Sequence, residues 1–264
     1  MTFTCPLCGG NANKAFEAEV LGKNMAAYCT CPSCGLLFAH EPTWLAQAYN
    51  NPIAEFDTGI LVRNLYNAAR VTFIISLFFD RNSRFLDYAG GYGIFVRLMR
   101  DIGFDFYWKD EYSTNLLARY FEKGKDESYP LVTATEVLEH VPNPLQFVEK
   151  IVDETGADSL LFSTTTFEGN PPSLDWHYYA FESGQHITFY QPKTLGLLAS
   201  KLGFHYYGAG DLHLFTRKKI NHYLFRVAAS KAALLVFPFA KALLKSRTEQ
   251  DSLKIRKILR QKRP

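Results

Sequence analysis

The chain has 264 residues, 47% of them apolar and 21% charged. That suits a packed core, excludes global disorder, and fits one domain of about 200 residues plus a small module better than two full domains. The formal charge of +3 is a cancellation: residues 217–264 hold 14 Lys/Arg against 2 Asp/Glu, residues 1–216 hold 15 against 24. An acidic body with a basic tail excludes a basic surface over the whole protein and confines any such surface to the tail.

The opening MTFTCPLCGG has no basic n-region and no apolar h-region, so no secretory leader is expected. No apolar run reaches the ~18 residues of a membrane span. The expected setting is the reducing cytoplasm, where clustered cysteines serve a metal rather than disulfides. Cys5-Pro-Leu-Cys8-Gly and Cys31-Pro-Ser-Cys34-Gly are two knuckles of one design, 22 residues apart. Four thiolates make a closed tetrahedral site, the chemistry of structural Zn2+. The residues between, Lys14–Tyr28, read as a hairpin turning at Leu21-Gly22-Lys23-Asn24, so residues 1–40 are predicted to form a zinc ribbon. Cys29 is the surplus thiol and His40 a loop residue.

Residues 41–80 read as a helical connector, with apolar residues at helical spacing over Val62–Phe79. Next come a strand (Arg84–Tyr88), a glycine turn (Ala89–Gly93), a helix (Ile94–Ile102) and a second strand (Phe104–Lys109) ending at Asp110-Glu111. This order is half of a doubly wound nucleotide-binding sheet. Gly91 and Gly93 clear space where a ligand lies against backbone, and Asp110 stands where a carboxylate accepts hydrogen bonds from both ribose hydroxyls. A dinucleotide and S-adenosylmethionine both suit such a unit. Asp87 precedes the glycines and no third glycine follows, which favours a ligand bearing an ammonium and a sulfonium over a pyrophosphate.

Phe85–Gly93, Asp110, the segment LVTATEVLEHVPNP (Leu131–Pro144), and Gly184–Tyr190 followed by a helix over Pro192–Leu202 together resemble the class I S-adenosylmethionine-dependent methyltransferases. They are most similar to a small-molecule branch whose fourth strand runs into an LEHxxxP segment. The resemblance covers roughly residues 60–217 and, with the ribbon, extends to methyltransferases of bacterial polysaccharide and sugar modification. It implies an α/β, Rossmann-like, doubly wound sheet of seven strands ending in an antiparallel hairpin (His205–Gly210 and Leu212–Arg217), with residues 81–217 as the catalytic domain. It also implies that Asp87, Tyr88, Ala89, Gly91 and Gly93 hold the methionyl end of S-adenosylmethionine. Asp110 with Glu111 would hold the ribose, and Thr135-Glu136 would approach the sulfonium side. Two departures stand out. Ala89 occupies a usual glycine position, and only about twenty residues separate Asp110 from Leu131. The third strand must therefore be abbreviated, to Arg119–Glu122, with Lys125–Ser128 the remaining stretch for an adenine-reading loop.

Transfer to a hydroxyl needs a base, and histidine suits neutral pH. His140, His177 and His186 fall on the expected top-face loops; His186 is the favoured base, with His140 and Tyr190 shaping the acceptor pocket. Glu139 is expected to orient His140 or to cap the helix starting near Pro144. The aromatic loop Thr164–Ser183 reads either as a lid over a sugar ring or as hydrophobic anchoring of a long connection. Tyr49-Asn-Asn-Pro and Phe56-Asp57 are candidates to close over the cofactor. The expected acceptor is a sugar nucleotide or glycan, methylated on oxygen, with C-methylation open. Nucleic acid is disfavoured, since residues 1–60 offer only Lys14 and Lys23 as basic groups. An RNA base methyltransferase and a non-catalytic binding protein of degenerate fold are the alternatives. Residues 218–264 read as a basic amphipathic tail that packs on the body or a second subunit, or attaches peripherally to the inner face of an anionic membrane.

Overall fold

A computed structural model describes residues 2–49, 57–125 and 127–262. Strands β1 (Thr2–Thr4), β2 (Asn11–Val20), β3 (Asn24–Thr30) and β4 (Leu37–Ala39) are followed by one helical turn, α1 (Leu45–Ala48). Helix α2 (Ile60–Phe78) leads to β5 (Arg84–Tyr88), α3 (Ile94–Ile102), β6 (Asp105–Lys109) and β7 (Val132–Thr135). A 3-10 turn at Leu138–His140 precedes α4 (Pro144–Thr155) and β8 (Ser159–Ser163); another at His177–Tyr179 precedes β9 (Thr188–Phe189). Then come α5 (Pro192–Lys201), the hairpin β10 (His205–Ala209) and β11 (Leu212–Thr216), and helices α6 (His222–Ala228), α7 (Ala232–Ala242) and α8 (Thr248–Gln261).

One sheet has the order β1-β2-β3-β4-β9, the other β10-β11-β8-β7-β5-β6. The second is mixed: β5 is parallel to β6 and β7, whereas β11 is antiparallel to β8 and β10. The terminal antiparallel hairpin is as expected. Among the described residues the count is six strands, where seven are expected. The shortfall is the abbreviated third strand, which survives as a single parallel bridge, Trp108 with Glu122. Trp108 N–H donates to Phe121 O and Lys123 N–H to Trp108 O, each at 2.8 Å. Twenty residues suffice for that contact and not for a full strand and crossover helix. Residues 50–56, within the expected closure segment, and Asp126, within Lys125–Ser128, lie outside the described residues.

The chain divides into two compact units. The first comprises Met1–Phe56, Ala134–Glu154 and Asp158–Lys219. Its hairpin β2–β3 turns on Leu21 (φ 55°) and Gly22 (φ 65°), the paired left-handed residues that match strand twist in a two-residue turn. Strand β4 pairs antiparallel with β3 on one side and with β9 on the other, Leu37 opposite Phe189 and Phe38 opposite Thr188. The core under this sheet is aromatic: Tyr28, Tyr178, Tyr179 and Phe189 are buried, and Tyr179 stacks on Phe181 with centroids 5.0 Å apart. The 164–183 connection is therefore anchored rather than a lid, because burying each ring contributes about 1.5–3 kcal/mol. Gly184 must be small here, since a Cβ would lie 2.8 Å from Val20 Cγ1.

The second unit comprises Asp57–Thr133, Thr155–Ala157 and Ile220–Pro264. Phe85, Phe95 and Phe106 interlock at its centre, with centroids 5.3 Å and 5.6 Å apart in the two Phe106 pairs. Helix α8 packs through charge. Asp251, buried, accepts from Arg100 Nε and Nη2, each at 2.7 Å, and from Arg97 Nη2 at 2.8 Å. Arg100, buried as well, also donates to Asp105 Oδ1 and Phe106 O, and its guanidinium lies 3.7 Å from the Phe121 ring centroid. Among the described residues no single helix is long and apolar enough to cross a membrane; α6 and α7 reach that composition only as a pair bent by 81°.

Truncating Asp251 strands part of a buried guanidinium, a loss of about 3 kcal/mol or more. Asp251→Ala is therefore expected to lower the unfolding free energy by that order in denaturant titration, whereas Glu249→Ala, on the exposed side of α8, leaves it within about 0.5 kcal/mol.

Candidate active site and metal centre

Parallel pairing sets Asp87 of β5 opposite Trp108 of β6 and Thr133 of β7. The chain then turns at Ala89 (φ 57°), Gly91 (φ 54°) and Gly93 (φ 84°) and enters α3. A left-handed conformation costs an L-residue about 1–2 kcal/mol; the alanine side chain is small enough to be held there, so the turn keeps its shape without the usual glycine. A Cβ on Gly90 would lie 2.7 Å from Asp87 Oδ2, so glycine lets the loop fold onto the carboxylate. Above Gly91 nothing lies within 4 Å of where a Cβ would be, leaving the backbone open to a ligand.

Asp87 is fully buried and receives the Thr133 hydroxyl at 2.7 Å. Burial pushes its carboxyl up to about 7, the Thr133 hydrogen bond opposes this, and Asp110 adds to it. Asp110 Oδ2 accepts the Gly91 N–H at 2.9 Å, and its Oδ1 accepts the Tyr112 and Ser113 N–H groups at 2.7 Å each. These bonds aim the carboxylate while leaving lone pairs for hydroxyl donors. Trp108 Nε1 donates to Gly91 O at 2.9 Å and braces the loop. Tyr88 is buried, its ring 4.8 Å from Lys109 Nζ, and Glu111 lies 3.8 Å from the same ammonium. The unit thus brings Asp87, Tyr88, Ala89, Gly91, Gly93 and Asp110 together. Thr133 and Trp108 are the positioning residues that strand register alone could have revealed.

Thr135 and Glu136 belong to the other unit. Glu136 is left-handed (φ 55°), and its carboxyl accepts from the Ser163 hydroxyl. Beyond it, the 3-10 turn buries Glu139, whose Oε1 takes the Tyr178 hydroxyl at 2.8 Å. Burial, and then Glu136, push the Glu139 carboxyl up to about 8. The partner is thus Tyr178, not the helix end or His140. The rings of His140 and His186 meet at 4.8 Å, edge to face. Burial and the neighbouring His186 pull His140 down to about 3, so it is neutral at physiological pH. His186 Nδ1 lies 2.6 Å from Tyr178 O. A carbonyl only accepts, so Nδ1 carries the proton and Nε2 the lone pair. Tyr190 does not face an acceptor: it is buried and its hydroxyl donates to Leu138 O at 2.7 Å, steadying the turn that bears Glu139 and His140. His177 is exposed on the second 3-10 turn.

In the hairpin module the Sγ atoms of Cys5, Cys8, Cys31 and Cys34 lie within 4.8 Å of one another. The Cys5–Cys34 and Cys8–Cys31 distances are both 3.5 Å, close to the ~3.8 Å edge of a thiolate tetrahedron around a divalent ion. Gly9 (φ 73°) and Gly35 (φ 79°) close the two knuckles, and Gly10 N–H points at Cys8 Sγ from 3.4 Å. Cys29 stands outside this group, buried on β3.

A parallel strand pair with an acid-glycine turn at its tip and a second acid on the next strand defines a nucleotide-type cofactor site of the doubly wound class. The methyltransferase-domain family matches residues 63–207, and the chain belongs to that family. It is accordingly an S-adenosylmethionine-dependent methyltransferase. Solved structures with a similar fold include magnesium protoporphyrin IX methyltransferase from Synechocystis PCC 6803 with bound cofactor. That likeness has 11% identity, covers 65% of this chain and 88% of that one, and gives a TM-score of 0.43. Human N-acetylserotonin methyltransferase is similar at 15% identity, over 67% of this chain and 66% of that one, with a TM-score of 0.43. No curated protein matches the chain.

The raised Asp87 pKa fixes a sign. Between about pH 4 and 7 the folded apoprotein retains a proton that the unfolded chain has released, so this group lowers stability as pH rises through that window. Asp87→Asn is expected to gain on the wild type progressively from pH 4 to 7; unfolding titrations at a series of pH values read the difference.

Proposed function

We propose that the protein methylates a hydroxyl group of a small acceptor, a sugar nucleotide or glycan, with His186 as the base that takes the hydroxyl proton. S-adenosylmethionine supplies, when bound, a methyl group on a sulfonium. Asp87, once ionised, pairs with the ammonium of the methionyl moiety, and Asp110 accepts from the ribose hydroxyls. The open backbone at Gly91 gives room for both.

The observation that carries the acceptor reading is the Tyr178 carbonyl at 2.6 Å from His186 Nδ1. That bond orients the imidazole with Nε2 basic, the state a general base needs toward a hydroxyl proton. His140, kept neutral, offers no competing positive charge. The net charge of −9 over residues 1–216 supports a small-molecule acceptor over a nucleic acid. A ketone-bearing sugar methylated on carbon would use the same base.

The four-cysteine group is proposed to hold structural Zn2+. Tyr223, Leu235, Phe239 and Leu243 on and after α6–α7 are strongly exposed, with Arg226, Lys231, Lys241 and Lys245 among them. This combination supports peripheral attachment to an anionic membrane surface, and with it a place at the inner face of the cytoplasmic membrane.

Asp110→Ala should weaken S-adenosylmethionine binding at least about tenfold by calorimetry, a charged hydrogen bond contributing about 1.5–3 kcal/mol. His186→Ala should retain binding and lose about 100-fold or more in turnover, followed by mass spectrometry of the acceptor; full turnover would remove His186 as base. Flotation with phosphatidylglycerol vesicles should recover the wild type and much less of Phe239→Glu, and equal recovery would remove the membrane reading.

A further inference from the structure

The acceptor-side cluster contains two buried polar atoms with no hydrogen-bond partner, Glu139 Oε2 and His140 Nδ1. An orphaned carboxylate oxygen in an aromatic core is costly, and such atoms call for a specific cause. Both residues belong to one group with His186: one ligand atom from each of the three lies within 4.8 Å of the others.

We propose that Glu139, His140 and His186 bind a divalent first-row transition ion, distinct from the ion of the four cysteines. His140 Nδ1 is buried with no hydrogen-bond partner, the position a metal ion would fill. His186 donates Nδ1–H to Tyr178 O at 2.6 Å, which leaves Nε2 as its ligand nitrogen. Metal-bound histidines characteristically use their second nitrogen in this way. Glu139 has one oxygen held by the Tyr178 hydroxyl at 2.8 Å and the other bare. Tyr178 therefore orients two of the three ligands, through its hydroxyl and its carbonyl.

The fit is chemical as well as geometric. Two imidazoles and one carboxylate select zinc, iron(II) or a similar ion over magnesium or calcium, which prefer all-oxygen shells. Closing to a coordination shell of ~2.1 Å radius takes a side-chain adjustment of about an ångström. Three protein ligands leave a position for an oxygen, from water or from a hydroxyl of the acceptor. The strained Glu136, three residues before Glu139 and left-handed at φ 55°, lies next to this group, where strain commonly marks a site.

This inference rests on the acceptor-side reading of the cluster and refines it. In the loaded protein His186 Nε2 is a ligand, and acidifying the hydroxyl falls to the ion; only in the unloaded protein is the imidazole itself the base.

The test counts ions rather than turnover. The full-length protein, stripped with a chelator, is dialysed to equilibrium against Zn2+, and bound metal is measured by mass spectrometry. The wild type should take two equivalents, and Glu139→Gln and His186→Ala one each. Cobalt loading should show thiolate charge-transfer bands unchanged in both variants, which reports that the cysteine site and fold persist. A wild type that takes a single equivalent, or variants that still take two, would overturn the proposal. S-adenosylmethionine affinity, measured on the same samples, is expected to be unchanged; its absence from the wild type would fail the methyltransferase reading without touching the metal count.

Discussion

A carboxylate placed among aromatic rings must be satisfied locally, because desolvation of a charge is worth several kcal/mol. Glu139 imposes that requirement on its unit, which answers it for one oxygen, leaves the other without a hydrogen-bond partner and holds the carboxyl up at about 8. Tyr178 donates its hydroxyl to one carboxyl oxygen, and the Ile187 N–H donates to the backbone carbonyl of Glu139 at 2.8 Å, fixing the residue that bears it. Tyr190 pins Leu138 beside it. The same constraint accounts for the anchoring of the long 164–183 connection, since Tyr178 cannot serve Glu139 from a mobile lid.

The other unit is ruled by a second buried acid with a different solution. Among the described residues Asp87 is met only by a threonine hydroxyl, with Asp110 adding repulsion instead of relief. An apoprotein built this way stores unfavourable electrostatics that a cationic ligand group relieves. A cofactor with an ammonium fits that deficit. A pyrophosphate would deepen it.

The elements with regular periodicity were readable from residues alone. The strand-turn-helix-strand order over 84–109, the terminal hairpin and the paired knuckles all lie where spacing puts them, because each is specified by local pattern and by glycines with positive φ. The third strand was legible only as a deficit of chain length; the bridge at Trp108 depends on register that no local signal encodes. Of the candidate site, Asp87, Asp110 and His186 were recognisable by motif. Tyr190 was misassigned because an aromatic hydroxyl on a site-bearing segment looks the same whether it faces a ligand or a carbonyl. Glu139 was seen only as an accessory to His140, since its importance lies in total burial, a tertiary property. Tyr178 as the common support has no sequence signal beyond its neighbours' aromaticity.

The strand pairing of β4 with β9 bears on how the chain assembles. The cysteine hairpin comprises the first forty residues, yet its sheet is completed by residues 188–189, and Cys34 O receives the Thr194 hydroxyl across a separation of 160 positions. Closing so long a loop costs entropy before any contact repays it, and such pairings are slow to form. During synthesis the hairpin emerges well before its fifth strand, exposing the β4 edge and the apolar face that Phe189 and Tyr179 later cover. The thiolate cluster needs only residues 5 to 34 and is complete in that interval, so the proposed ion, bound there, would hold the register of the module until the rest of the chain arrives.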